Sequence, residues 1–191
     1  MPSISFEKWT SQRQRALDEI EAAHRSVGGS QRGRRYTTQQ INQAFAVLLS
    51  SQFQGYCREL HSECADHFVQ SVTSLPLRAA LHILLVQNRK LDKGNPNPGN
   101  LGSDYNRFGL PFWDVIISHD GRNQLRRDAL EDLNNWRNAI AHQDFDRKLL
   151  GSTVLRLGYV RSWRTACQHL AATFDQVMRL HLLAINGNSP W

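Results

Sequence analysis

The stretch FAVLLSSQFQGYCRELH, residues 45–61, decides the fold. Ile41, Phe45, Leu48, Leu49, Gln52, Tyr56 and Leu60 recur at three- and four-residue steps, the repeat of a helix with one side in a core. The spacing predicts a long helix capped by Thr37 or Thr38 and reaching as far as Val72. Working outward, the same periodicity returns on both sides. A first helix after Ser5 carries Trp9, Ala16, Leu17, Ile20 and Ala23 and stops at Gly28-Gly29. A third starts at Pro76, a residue suited to a first turn, and runs toward Asn88. A helix from about Asn123 to His142 follows the Asp120-Gly121 turn, and a last one spans about Val160 to Ile185.

Two segments interrupt the pattern. Residues 92–111, DKGNPNPGNLGSDYNRFGLP, hold four glycines and two Asn-Pro steps and are expected to form a long Asn/Gly/Pro-rich loop. LGSTVLRLGYV, residues 150–160, is the place for strand or irregular structure, and FWDVIIS, residues 112–118, for a short helical or extended piece. The expectation is an all-α helical bundle, a single domain over residues 1–191.

Composition narrows the setting. Lys and Arg number 23 against 17 Asp and Glu, so the chain carries +6 with His neutral and favours an acidic partner, nucleic acid first among them. Three cysteines make no disulfide framework and point to a reducing compartment. No apolar run reaches the roughly 18 residues of a membrane span, and MPSISFEKWTSQRQR lacks an apolar signal core. Cytoplasm is the expected location, with no membrane partner.

The helix ending in NNWRNAIAHQDF, residues 134–145, carries the chemistry. Leu130, Leu133, Trp136 and Ile140 form its apolar stripe, and Asn138 and His142 share a polar face one turn apart. Arg137 and His142 stand roughly 140° apart around the axis and about 7.5 Å along it, so one copy converges poorly on a small group. Arg binds phosphate through two parallel donors, and His exchanges a proton near neutral pH. The same residues also fit an ordinary helix end, with His142 near the C-terminal dipole and the Arg137 stem on apolar surface.

RNAIAH, residues 137–142, resembles the Arg-x4-6-His motif of the HEPN superfamily. With FAVLLSSQFQGYCRELH, RKLDKGNPNPGNLGSDYNRFG and RNAIAHQDF the chain looks most like the RiboL-PSP branch over about residues 40–185. The resemblance implies a homodimer whose paired motifs line a cleft and cleave RNA without metal or other cofactor, as toxins or antiviral effectors do. Arg137 would polarise the scissile phosphate, Asn138 assist, and His142 act as general acid or base. An antitoxin or regulatory protein is an implied partner. Gln143 stands where related motifs frequently have Gly, and Asp144 where some toxins paired with nucleotidyltransferase antitoxins have Tyr. The alternative is a noncatalytic module of the same shape that binds RNA or protein.

Arg32, Arg34 and Arg35 beside Tyr36, and Arg126 and Arg127 upstream of the motif, are candidate RNA contacts. Cys57, His61 and Cys64 lie on one helix, with the cysteines about 10.5 Å apart along its axis, too far to share one Zn. Glu59 and Glu63 read as a solvated face, and Trp9, Trp113, Trp136 and Trp163 as core or interface.

Overall fold

The computed structural model describes residues 1–28 and 35–191, with the side chains of Gly28, Arg35 and Thr37 left aside. The described residues are all-helical, with no strand among them. The helices are α1 Ile4–Lys8, α2 Gln14–Gly28, α3 Arg35–Phe68, α4 Leu75–Val86, α5 Lys90–Lys93 and α6 Pro98–Tyr105. They continue as α7 Phe112–His119, α8 Asn123–His142, α9 Arg147–Leu150 and α10 Leu157–Asn186. Among them no helix is long and apolar enough to cross a membrane.

The 34-residue α3 is the axis of the bundle, and α1, α2, α4, α8 and α10 all pack on it. Its buried apolar residues, Phe45, Ala46, Leu49, Phe53, Tyr56, Cys57, Leu60, Cys64 and Ala65, form a broad stripe toward these neighbours. A polar group inside such a packing costs free energy unless it finds a partner. The polar residues of α3 accordingly act as tethers. Asn42 donates to the Leu155 carbonyl (2.9 Å), Ser50 Oγ to Asn134 Oδ1 (3.1 Å), and Gln54 Nε2 to the Leu91 and Gly94 carbonyls (2.7 and 2.6 Å).

Glu59 and Glu63 do not form a solvated face. Glu63 accepts from the Ile4 and Ser5 amides and the Ser5 hydroxyl, and Glu59 from Arg13 at 2.7 Å. Both carboxylates fasten the N-terminal segment to the bundle. A π-helical turn, Trp9–Arg13, connects α1 to α2. Trp9 leaves it for the core, 5.6 Å from the rings of both Phe53 and Tyr56. The Arg13 guanidinium lies over Gly55, where an added Cβ would come within 2.6 Å of it. The first residues also reach the far end of the chain, since the Ser3 amide donates to Asp175 Oδ1 on α10 at 3.1 Å.

Residues 92–111 are not a long loop. Asn97 is the N-cap of α6, its Oδ1 accepting the Asn100 amide at 2.7 Å, and Pro98 takes the first helical position. A 3-10 turn, Asn106–Phe108, follows, and Gly109 ends it in the left-handed region at φ 80°. Glycine serves close approach at Gly102, where a Cβ would meet Trp113 at 3.2 Å. The Trp113 indole donates to the Pro98 carbonyl (2.7 Å), and the buried Asp104 accepts the Lys90 and Leu91 amides (2.9 and 2.8 Å) at the start of α5. Tyr105 stacks on Phe112 in the core, with centroids 4.4 Å apart, and Phe174 meets Phe112 edge to face at 4.9 Å. In 150–160, residues 151–156 are irregular, and α10 begins at Leu157, ahead of the expected Val160. The helix α3 stops at Phe68 rather than Val72; Arg78 donates to the Gln70 and Val72 carbonyls and holds the turn that follows.

Trp9, Trp113, Trp136 and Trp163 are all buried. The three thiols are free and buried, and burial pushes each of them up. His61 is occupied too: its Nε2 meets the Asp104 carbonyl at 3.1 Å and its Nδ1 faces Arg89 at 3.5 Å. Among the described residues no group of three or more His, Cys, Asp or Glu is placed to hold a metal ion. By contrast, α4 is strongly apolar yet exposes Leu75, Leu77, Ile83 and Leu84 and buries only Leu85 fully.

Candidate functional site

The helix α8 has the boundaries its periodicity predicts, Asn123–His142. Leu130, Leu133 and Trp136 are buried against the bundle, and Ile140 packs on the core edge. Asn134, one turn before Asn138, is also buried. It donates to the Pro96 and Leu130 carbonyls (3.2 and 2.8 Å) while accepting from Ser50. Its amide therefore locks α8 to α3 and to the Asn-Pro segment at once.

That segment supports the motif directly. Asn95 Nδ2 donates to Asn138 Oδ1 at 2.9 Å, and the Asn95 oxygens accept from Asn97 (2.9 Å) and Asn100 (2.8 Å). Arg137 donates to the same Asn138 Oδ1 at 3.3 Å. Two donors engage the Asn138 oxygen, and Arg137 is held beside it, both residues partly buried. Asn138 is thus fixed toward Arg137 and Asn95, not toward the imidazole.

His142 is the last residue of α8 and is exposed. Its imidazole makes no hydrogen bond or ion pair among the described residues. The chain turns away immediately: Gln143 is left-handed at φ 55°, the Asp144 amide bonds the Ala139 carbonyl (3.0 Å) and the Gln143 amide the Ile140 carbonyl (3.4 Å). This is a Schellman ending, the geometry in which glycine is the favoured residue. Phe145 then folds back to Trp136, with rings 6.3 Å apart.

Arg126 and Arg127 fall elsewhere. Arg126 is mostly buried, donating to Asp120 (2.9 Å) and Asn123 (2.7 Å), and Arg127 lies over the Trp113 ring at 5.2 Å. They sit about three turns from Arg137 along α8, so the helix does not bring them to the motif. Arg32 and Arg34 lie outside the described residues, and Arg35 opens α3. Asp120, bridged by Arg122 and Arg126, is held well below the usual carboxylate range, chiefly by its hydrogen bonds from Arg122.

Three acids occupy the exposed side of α8 before the motif: Asp128, Glu131 and Asp132. Burial and then the neighbouring Asp128 raise the Asp132 carboxyl. Asn95 and Asn134, which organise the site, were invisible to helical periodicity. The one local sign was that Asn134 stands four residues before Asn138, on the same side of the helix. No family model, curated protein or solved structure matches the chain.

Proposed function

We propose that this chain is a metal-independent endoribonuclease of the HEPN type, working as a homodimer and acting as a toxin or antiphage effector. The observation that carries the proposal is the end of α8. There Arg137 and the Asn138 amide are braced by Asn95, while His142 stands exposed one turn further on. Two donors suited to phosphate and one proton-exchanging ring share one short stretch of surface. The angular spread between Arg137 and His142 on the helix favours two copies around a shared strand.

In this reading one His142 takes the proton of a ribose 2′-hydroxyl as its oxygen attacks phosphorus. The P–O5′ bond breaks, and protonated His142 of the second copy gives a proton to the leaving oxygen. Arg137 and Asn138 hold the phosphoryl oxygens as charge accumulates on them. The products are a 2′,3′-cyclic phosphate and a 5′-hydroxyl end. Incubation with RNA in the presence of a chelator, beside His142→Ala, tests it. Equal cleavage by both proteins, or none by either, overturns it. Expression of the active chain is expected to arrest growth and the variant to relieve the arrest.

A noncatalytic binding module is the second reading. The exposed leucines of α4 favour it, because a solvent-facing apolar helix suits a protein partner. It predicts partner binding that survives Arg137→Ala.

A further inference from the structure

One row of residues on α8 continues past the motif. Asn135, Asn138 and His142 follow one another on the exposed side, with Asn135 and His142 about 20° apart in angle and about 10.5 Å apart along the axis. At Asn135 this row meets a cavity of about 190 Å³ between α8, residues 149–152 and the start of α10. Its walls include Asp132, Asn135, Trp136, Ser152, Tyr159 and Trp163.

Several features restrict what fits. The volume lies below the roughly 300–1,000 Å³ of sites for drug-sized ligands, so a single ring system enters rather than a whole nucleotide. Trp136 and Trp163 are seated in the core and form a rigid apolar floor. Tyr159, half-exposed, runs nearly parallel to Trp163, at 25° and 6.4 Å between centroids. Flat aromatic faces of this kind suit a planar partner. The carboxylate of Asp132, with Asp128 one turn away, repels a phosphate but accepts N–H donors. Asn135 adds one donor group and one acceptor beside it. A quaternary ammonium would use the aromatic faces and the charge but leave the Asn135 amide without a role.

We infer that this cavity receives a nucleobase bearing an exocyclic amine, from the RNA strand whose phosphate lies at Arg137 and His142. The amine of adenine, cytosine or guanine donates to Asp132, and Asn135 completes the edge; uracil can offer Asp132 only its ring N3–H, flanked by two carbonyl oxygens that the carboxylate repels. The inference rests on the ribonuclease reading for the strand's position, while the pocket's preference stands on its own residues. Cleavage would then fall beside a base with an amine.

Titration of the full-length protein with adenosine, cytidine and uridine, followed by the indole N–H signals of Trp136 and Trp163, tests the pocket apart from cleavage. At roughly 10 mM even a site with a Kd of about 1 mM fills. Adenosine or cytidine is expected to shift both signals, with uridine at least about ten-fold weaker. Asp132→Ala should erase that preference, Tyr159→Ala should weaken all binding, and His142→Ala should leave it intact. Equal shifts with uridine, no shift with any nucleoside, or shifts with choline alone overturn the inference. Amine-selective shifts in a protein that never cleaves RNA would uphold the pocket and remove the ribonuclease reading instead.

Discussion

Asn95 and Asn138, 43 positions apart in the chain, share a 2.9 Å hydrogen bond that couples the Asn-Pro segment to the motif helix. Asn95 is buried and engages Asn97 and Asn100 through its remaining acceptors. Removing its side chain takes a hydrogen bond from Asn138 Oδ1 and from Asn97 Nδ2, at a cost of about 1–3 kcal/mol. Asn95→Ala is expected to lower the urea midpoint accordingly. If Asn138 braces Arg137 as proposed, RNA cleavage falls with it under conditions where the variant is still folded. An unchanged midpoint would show that the network contributes nothing.

His61 makes the fold acid-sensitive. Burial, with the Arg89 guanidinium adding to it, pushes its pKa down to about 4. In the unfolded chain the ring titrates near its ordinary value of about 6.5. Between these values only the unfolded state binds the proton, so stability is full above about pH 6.5 and falls as pH drops toward about 4. Below that both states are protonated and the loss levels off, at about 3 kcal/mol in total. Denaturant unfolding across this window should show the slope, and His61→Gln should flatten it.

Gln143 holds a left-handed backbone at φ 55° where glycine pays no steric penalty. Its side chain recovers part of the strain by donating to the Ile140 carbonyl at 2.8 Å. Gln143→Gly is expected to raise stability by up to about 1 kcal/mol, visible as a higher Tm. A clear loss would mean that the side-chain bond outweighs the strain.

Glu63 is expected to govern the N-terminal segment. It accepts three hydrogen bonds from Ile4 and Ser5, and charged acceptors of this kind contribute about 1.5–3 kcal/mol each when well buried, less at this partly exposed site. Glu63→Ala should lower stability and expose Lys8 to trypsin sooner than in the parent protein. Equal proteolysis rates would show that Trp9 alone secures the segment.

The solvent-facing leucines of α4 are expected to bind an environment-sensitive apolar dye in the native state. Leu77→Glu with Leu84→Glu should abolish most of that fluorescence without lowering the Tm, since both side chains are exposed. Retained fluorescence would place the dye elsewhere.

The helices α3, α8 and α10 were legible because each carries a long repeat of apolar residues that points at one body. The Asn/Gly/Pro segment was not, because Asn and Pro break a helix in its interior and begin one at its edge. Asn97 and Pro98 occupy the edge positions, so the composition that suggested a loop starts α6 instead. Arg137, Asn138 and His142 were legible as a local motif. Their bracing by Asn95 and Asn134, like the cavity beside Asn135, depends on contacts between distant segments that no local period encodes. Glu59 and Glu63 failed for the same reason, their partners lying at the N-terminus.

The bond from the Ser3 amide to Asp175 joins residues 172 positions apart. On a ribosome, which makes the N-terminal end first, that bond cannot form until α10 has been made, and neither can the contacts of Phe174 with Phe112 and Phe53. A chain grown only to the end of α8 thus carries its motif helix before α10, the wall that steadies it. The packing of α8 is therefore completed only when the last helix arrives.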